Sequence, residues 1–485
     1  MLNPVLKNIF YFLLIVALSV DITFSFRQHL RMPLDGDMAL IIVPSNSYGK
    51  VLNDPLGLNA VLKKEKYPAT NRFFAHWFTR TYFRNTPFFF QKFSDPIDSI
   101  FISCAVAKTI IQVLLIFLLA YYISLIHEVT WKNMLLTAGL ITPLFQTEGY
   151  NRVIGIIDWS TTYTFFYALP LALTLLYFLQ FYKSIFIGTN GSFSTLKHIL
   201  LIALGIIISF NGPLIPGVII VICPWVLFYF WLKYFTENKG TPLSKRIMDA
   251  IRSIPGPLLF HFILLILFCL YSLYVGTFNS ENSTFTLSIT ERYSRLGRGI
   301  ANLFTEGIAF SLILLVIVVN TALIYLRFRE DLFAKKILLF IGCFFLTATI
   351  YFLLLPLGGT RVYRPDIVRF DTMMPVTLGA FLCYGMSSFY IIKSSQLPYK
   401  LIYFALIFVF LYHYMDEDNS LFHTNKDEKL AMEKIANSSE EIVEIPNNLT
   451  VLSWEKISDY DQSELNAELM LYWKITKQKR LYYQK

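Results

Sequence analysis

Charge is what this sequence has least of. Only 15% of its 485 residues are charged, against 55% hydrophobic ones. A soluble protein of this length has too few polar groups here to cover its surface, so the apolar excess has to face lipid. Cysteine is scarce too. Cys104, Cys223, Cys269, Cys343 and Cys383 all fall inside apolar runs, which argues against a disulfide framework or a thiolate metal site. Several familiar motifs are absent: no G-x-x-x-x-G-K-[ST] loop, no H-E-x-x-H, no G-x-S-x-G elbow, and no G-x-G-x-x-G after a strand. A built-in ATPase, a zincin and a serine hydrolase are thereby disfavoured. No Lys/Arg run with interleaved aromatics appears, so the net charge of +9 does not indicate nucleic acid. Internal repeats are lacking as well, which weakens an inverted-repeat transporter.

What is present is a series of long apolar runs, at 8–26, 98–125, 134–147, 159–181, 197–211, 213–234, 257–277, 305–326, 337–356, 374–392 and 400–415. They are too long, and too little alternating, for barrel strands. The fold class expected is all-α, a polytopic transmembrane helical bundle of about eleven spans. The third and fifth runs are short, and Asn211-Gly212-Pro213 divides two segments that a re-entrant unit would also explain. Basic residues concentrate in 233–252, 327–336 and 393–400, each two spans from the next. The positive-inside rule makes that side cytoplasmic, with the N-terminus inside and the C-terminus outside. Asp21 interrupts the first run, which lacks an A-x-A site, so a retained anchor is expected in place of a cleaved signal. The expected organisation is a membrane domain over 1–415, with a large first external loop at 27–97, and a small extracytoplasmic tail at 416–485. In that loop, 37–43 and 71–93 read as helices lying along the membrane surface. The tail carries nine Lys/Arg against fourteen Asp/Glu, with helical patterning in 426–436 and 462–478.

Chemistry is expected on the external side. Asp35-Gly36-Asp37 follows the first span. Carboxylates so spaced can share a divalent cation such as Mg or Mn, or one can act as general base while the other sets its pKa. An Asx-type turn capping the helix that begins near Met38 is the structural alternative. A second cluster, Arg361-Val362-Tyr363-Arg364-Pro365-Asp366-Ile367-Val368-Arg369-Phe370-Asp371, puts Arg361, Arg364 and Arg369 in an external loop. Topology does not call for arginines there, and arginine is shaped to grip phosphate; an Arg–Asp network involving Asp366 is the alternative. Arg292, Arg295 and Arg298 form a weaker cluster. His76, Glu148, Asp158 and Asp366 are candidate acceptor-binding or supporting groups on the external side. Asp21 and His261 lie within spans, where helix-to-helix hydrogen bonding is the default.

A membrane-buried first helix, a long external loop opening on Asp35-Gly36-Asp37, surface helices and many further spans resemble the GT-C superfamily of integral membrane glycosyltransferases. The resemblance covers the architecture of about two thirds of the chain, and Asp35-Gly36-Asp37 is its one motif. It implies a polyprenyl-phosphate sugar donor, a saccharide, lipid or protein acceptor, a reaction centre on the outer face of the plasma (inner) membrane, and Asp35 or Asp37 as base or metal ligand. The chain lacks the adjacent Asp-Glu pair of several such families, which leaves open which carboxylate acts. A lipid-linked saccharide flippase and an oligosaccharide polymerase or ligase are the competing expectations.

Overall fold

The computed structural model describes residues 4–145, 154–187, 193–240, 242–282, 287–305, 307–358, 366–416, 424–446 and 450–484. It is almost entirely helical. After α1 (Pro4–Arg31), the first loop holds α2 (Met38–Ile42), α3 (Asn46–Leu52), α4 (Leu58–Leu62) and α5 (Phe73–Phe90). The bundle continues with α6 (Pro96–Ser124) and α7 (Trp131–Ile141), the latter extended by a 3-10 turn, Thr142–Phe145. Next, α8 (Thr161–Tyr163) runs through a π-helical turn, Thr164–Ala168, into α9 (Leu169–Ile187). Then come α10 (Thr195–Ser209), α11 (Leu214–Glu237), α12 (Leu243–Arg252), α13 (Gly256–Gly276), α14 (Ile289–Thr305), α15 (Ala309–Phe328), α16 (Leu332–Leu354), α17 (Phe370–Ser394) and α18 (Leu397–Asp416). The tail comprises α19 (Lys426–Asn437), β1 (Ile442–Ile445), α20 (Glu464–Tyr472) and β2 (Leu481–Gln484), the two strands pairing in parallel.

Nine helices among the described residues are long and apolar enough to cross a membrane. Nine of the eleven apolar runs of the sequence correspond to them. The two runs read as short do form short helices: α7 has 11 residues and α10 has 15. At 1.5 Å per residue these rise about 16 and 22 Å, less than the ~30 Å hydrocarbon layer. Local chemistry sets the helix starts. Asp95 caps α6, its Oδ1 accepting from the Ile97 and Asp98 amides at 2.9 and 3.0 Å, with Pro96 at the first helical position. Asp331 caps α16 through the Ala334 amide at 3.0 Å.

Contacts distinguish two ends of the bundle. At one end, the Asn425 amide donates to the Arg31 carbonyl at 2.7 Å, the Gly212 amide to the Asn71 carbonyl at 2.9 Å, and the Thr70 hydroxyl to the Val275 carbonyl at 3.0 Å. At the other, the Lys183 ammonium sits over Tyr121, Arg327 over Tyr399, and Tyr390 donates to Asp331 at 2.8 Å. The chain therefore alternates between the ends, and α7 and α10 both serve as return legs.

The tail docks on the first loop. Trp473 donates from Nε1 to the Phe83 carbonyl at 3.0 Å, Gln91 donates to the Trp473 carbonyl at 2.7 Å, and Lys429 pairs with Asp98 at 2.5 Å. Its second helix ends at Tyr472, short of the pattern expected to 478, because Lys474 turns left-handed with φ of 60°.

Candidate functional site

Asp35 is the centre of a polar cluster at the loop-bearing end. It is 1% exposed. Its Oδ2 accepts from the Thr162 amide at 3.0 Å, and its Oδ1 from the Thr162 hydroxyl at 2.8 Å and the Asp37 amide at 3.2 Å. The last of these is an Asx turn, so part of the structural alternative is realised. The capping part is not, since Asp37 precedes α2 without a side-chain cap. Asp37 turns elsewhere, its Oδ1 accepting from Trp454 Nε1 at 3.1 Å.

Asp158 joins the cluster with its Oδ1 on the Ser160 amide at 2.6 Å. Lys108, fully buried in α6, donates from its ammonium to the Trp159 carbonyl and interacts electrostatically with both carboxylates. Burial pushes the Asp35 carboxyl up, against the Thr162 donors, Ser160 and Lys108. Burial pushes Asp158 up to about 7, helped by the charges of Asp35 and Asp371 and opposed by the Ser160 amide and Lys108. Burial is thus the main reason that neither acid ionises in its ordinary range.

Asp371 leads to Arg369. The guanidinium grips Asp371 with two parallel bonds, Nε to Oδ1 at 2.9 Å and Nη2 to Oδ2 at 3.0 Å, and donates from Nη1 to the Asp366 carbonyl at 3.1 Å. Burial disfavours its charge but Asp371 more than restores it, holding Arg369 above the usual arginine range. Of the expected phosphate clamp, Arg361 and Arg364 lie outside the described residues, as does Glu148. Arg369 is engaged by a carboxylate, and Asp366 contributes its backbone oxygen.

Helix α8 and the π-helical turn that follows it are the hub of this arrangement. Thr162 holds Asp35, Tyr163 stands 5.5 Å from Trp454, Phe165 packs on Tyr82 and Phe83, and Phe166 lies 5.2 Å from His76. Tyr167 interacts electrostatically with Arg369. Such turns widen the backbone ladder and occur often where side chains must be re-aimed. His76 is buried between Phe166 and Tyr48, and burial, then Arg72, lowers it to about 3, so it is neutral. Arg292 donates to the Leu287 and Pro356 carbonyls, and Arg295 and Arg298 pair with Glu291. His261 is hydrogen-bonded to His198 at 2.8 Å.

The tail covers the site. Trp454 packs edge-on against Trp159 at 5.1 Å and rests on Gly36, where a Cβ would come within 2.5 Å of Trp454 Cδ1. Glu428 anchors the cover, accepting from the Leu34 amide at 2.8 Å and the Leu452 amide at 3.1 Å.

For a cation, the donors are poorly arranged. Both Asp35 oxygens already accept from the protein, Asp37 faces Trp454, and Lys108 supplies the neighbouring positive charge. Among the described residues no three His, Cys, Asp or Glu side chains gather as a metal would need. Four residues escaped the sequence reading: Lys108, Thr162, Glu428 and Trp454. Lys108 did leave a signal, a lone cation within the apolar run 98–125. No protein-family model matches the chain, and no curated protein matches it.

Proposed function

We propose that the protein is a GT-C-like membrane glycosyltransferase that moves a sugar from a polyprenyl-phosphate donor to an acceptor at the extracytoplasmic face. The observation that carries this reading is the buried Asp35, oriented through both oxygens by Thr162 and backed by Lys108 and Asp158. A carboxylate raised by burial and fixed in rotamer suits a general base near neutral pH. Asp35 takes the proton of the acceptor hydroxyl. The acceptor oxygen attacks the anomeric carbon, the bond from that carbon to the phosphate oxygen breaks, and the phosphate leaves with the electron pair. Direct displacement inverts the anomeric centre. Because Trp454 lies over the Asp35–Asp37 turn, the acceptor enters only when that side chain shifts. The reading places the protein in the plasma (inner) membrane, the loop-bearing end outside and the basic end cytoplasmic.

A flippase draws on one observation, the polar string Ser25–Gln112–His29 with Lys108 inside the first two spans. Beyond Gln112, however, the buried residues of α6 up to Ile123 are Leu, Ile, Ala and one Tyr. On α6 the string therefore stops, and a one-sided site is the better account.

The test is donor consumption by purified protein in bilayer discs. Wild type is expected to turn over, and Asp35→Asn to lose at least a hundredfold while its melting temperature holds; this is the usual scale for a general base. Turnover should survive EDTA. It should also rise with pH, since burial raises Asp35 and the base must be ionised to act. Full activity in Asp35→Asn, or no turnover over a broad donor and acceptor panel, sinks the proposal.

A further inference from the structure

Helix α5 carries basic side chains that the site described above does not use. Trp77, Arg80 and Arg84 fall at spacings of three and four and share one stripe. Neither arginine pairs with a carboxylate among the described residues. Arg84 donates from Nε to the Tyr472 hydroxyl at 3.2 Å, with its guanidinium carbon 4.9 Å from that ring. Arg80 has a buried Nε with no hydrogen-bond partner. A guanidinium with a buried donor unsatisfied is costly, and a second guanidinium beside it adds repulsion. Burial and then Arg84 lower Arg80 accordingly. Lys474, over the Phe88 ring at 5.6 Å, brings a third cation to the same edge of the helix. One oxyanion would relieve all of this at once.

The surroundings say which oxyanion. Trp77, on the stripe itself, is 45% exposed, and at and just beyond the C-terminal end of the same helix Phe89 and Phe93, packed edge to face, are 55% and 78% exposed, so this part of the chain presents aromatic rings outward. Rings of this kind settle at the boundary between headgroups and acyl chains. The tail side of the stripe is closed by Tyr472 and Trp473.

We infer that Trp77, Arg80 and Arg84, with Lys474 beside them, form a binding site for the phosphate headgroup of a membrane lipid in the leaflet at the loop-bearing end. It is separate from Arg369, whose guanidinium is taken by Asp371. If the glycosyltransferase reading holds, the site captures the polyprenyl-phosphate donor or retains its released carrier; only the choice of lipid rests on that reading. Guanidinium forks suit a phosphate monoester by paired hydrogen bonds.

The test uses the full-length protein in zwitterionic bilayer discs doped with a polyprenyl monophosphate, and retention is read by native mass spectrometry. Parallel samples carry the unphosphorylated polyprenol or inorganic phosphate. Wild type is expected to retain the lipid phosphate and neither of the other two. Arg80→Gln should weaken retention about tenfold, the loss of one charge-assisted contact, and Arg80→Lys should recover part of it. Arg80→Gln makes no change at the Tyr472 contact, so its tail stays docked; Arg80→Gln with Arg84→Gln should abolish retention. Undiminished retention in Arg80→Gln at an unchanged melting temperature overturns the inference. So does equal retention of polyprenol, or inorganic phosphate binding as tightly as the lipid. Asp35→Asn should retain lipid like wild type. A protein that holds lipid phosphate but never turns over leaves this site standing and removes the transferase.

Discussion

Gly36 shows how one side chain, or its lack, governs access to the site. Its Cα lies against Trp454, and a Cβ there would come within 2.5 Å of Cδ1 and 2.6 Å of the Trp454 backbone nitrogen. The backbone contact cannot be relieved by a rotamer change, so Gly36→Ala has to lift the cover. We expect about 1–3 kcal/mol of destabilisation, the usual cost of overpacking, and faster limited proteolysis of the 450–460 segment. An unchanged cleavage rate would show that Trp454 does not rest on Gly36. Asp35 and Asp37 are likewise separable at this scale. Their spacing suggested a shared task, yet one turns into the bundle toward Thr162 and the other out toward Trp454. No pattern in the sequence foretells that divergence, because it is set by a threonine 127 positions away in the chain.

At the scale of elements, the tail and the first loop behave as one structural unit joined by Glu428. Burial pushes this carboxyl up to about 8, against the pull of the Leu34 and Leu452 amides, with Asp35 adding to the rise. Its folded value thus exceeds the ordinary 4.5 of the undocked chain. The stabilisation is fully present below about pH 4.5 and declines as pH rises toward 8, where the docked carboxyl ionises in turn. The full shift corresponds to a few kcal/mol, at about 1.4 kcal/mol per unit. Hydrogen exchange of the tail amides should therefore quicken between pH 5 and 8 beyond its intrinsic pH dependence. Glu428→Gln should flatten that excess while keeping one of the two acceptors; an excess that persists in the variant would place the titrating group elsewhere. Helix α5 and the π-helical turn were legible to different degrees. A helix was expected from the aromatic and basic pattern over 71–93, and α5 runs over Phe73–Phe90. The π turn, which aims Phe165, Phe166 and Tyr167 at different partners, left no mark in periodicity, since a single turn of altered pitch shifts no residue out of an apolar run.

For the whole molecule, the contacts supply a parity check on topology. The first loop and the tail touch, so the chain between them crosses the bundle an even number of times, and the eight long helices after α1 with the two short return legs satisfy this. We expect the N-terminus and the tail on opposite sides of the membrane. Cysteines introduced at Lys239 and Glu330 should react with an impermeant maleimide only after permeabilisation, and one at Lys456 before it. Labelling of all three from one side would overturn the arrangement.

The sequence by itself determined the membrane environment, the number and position of the apolar runs, the segregation of basic loops to one end and the approximate place of Asp35. Those follow from hydropathy, length and charge, which are local quantities. The tertiary structure alone decided that Lys108 interacts with both Asp35 and Asp158, that Thr162 holds Asp35, and that the tail covers the first loop. Each of these pairs residues from distant segments in a low-dielectric interior, where the nearest partner, not the neighbour in sequence, decides what a charge does.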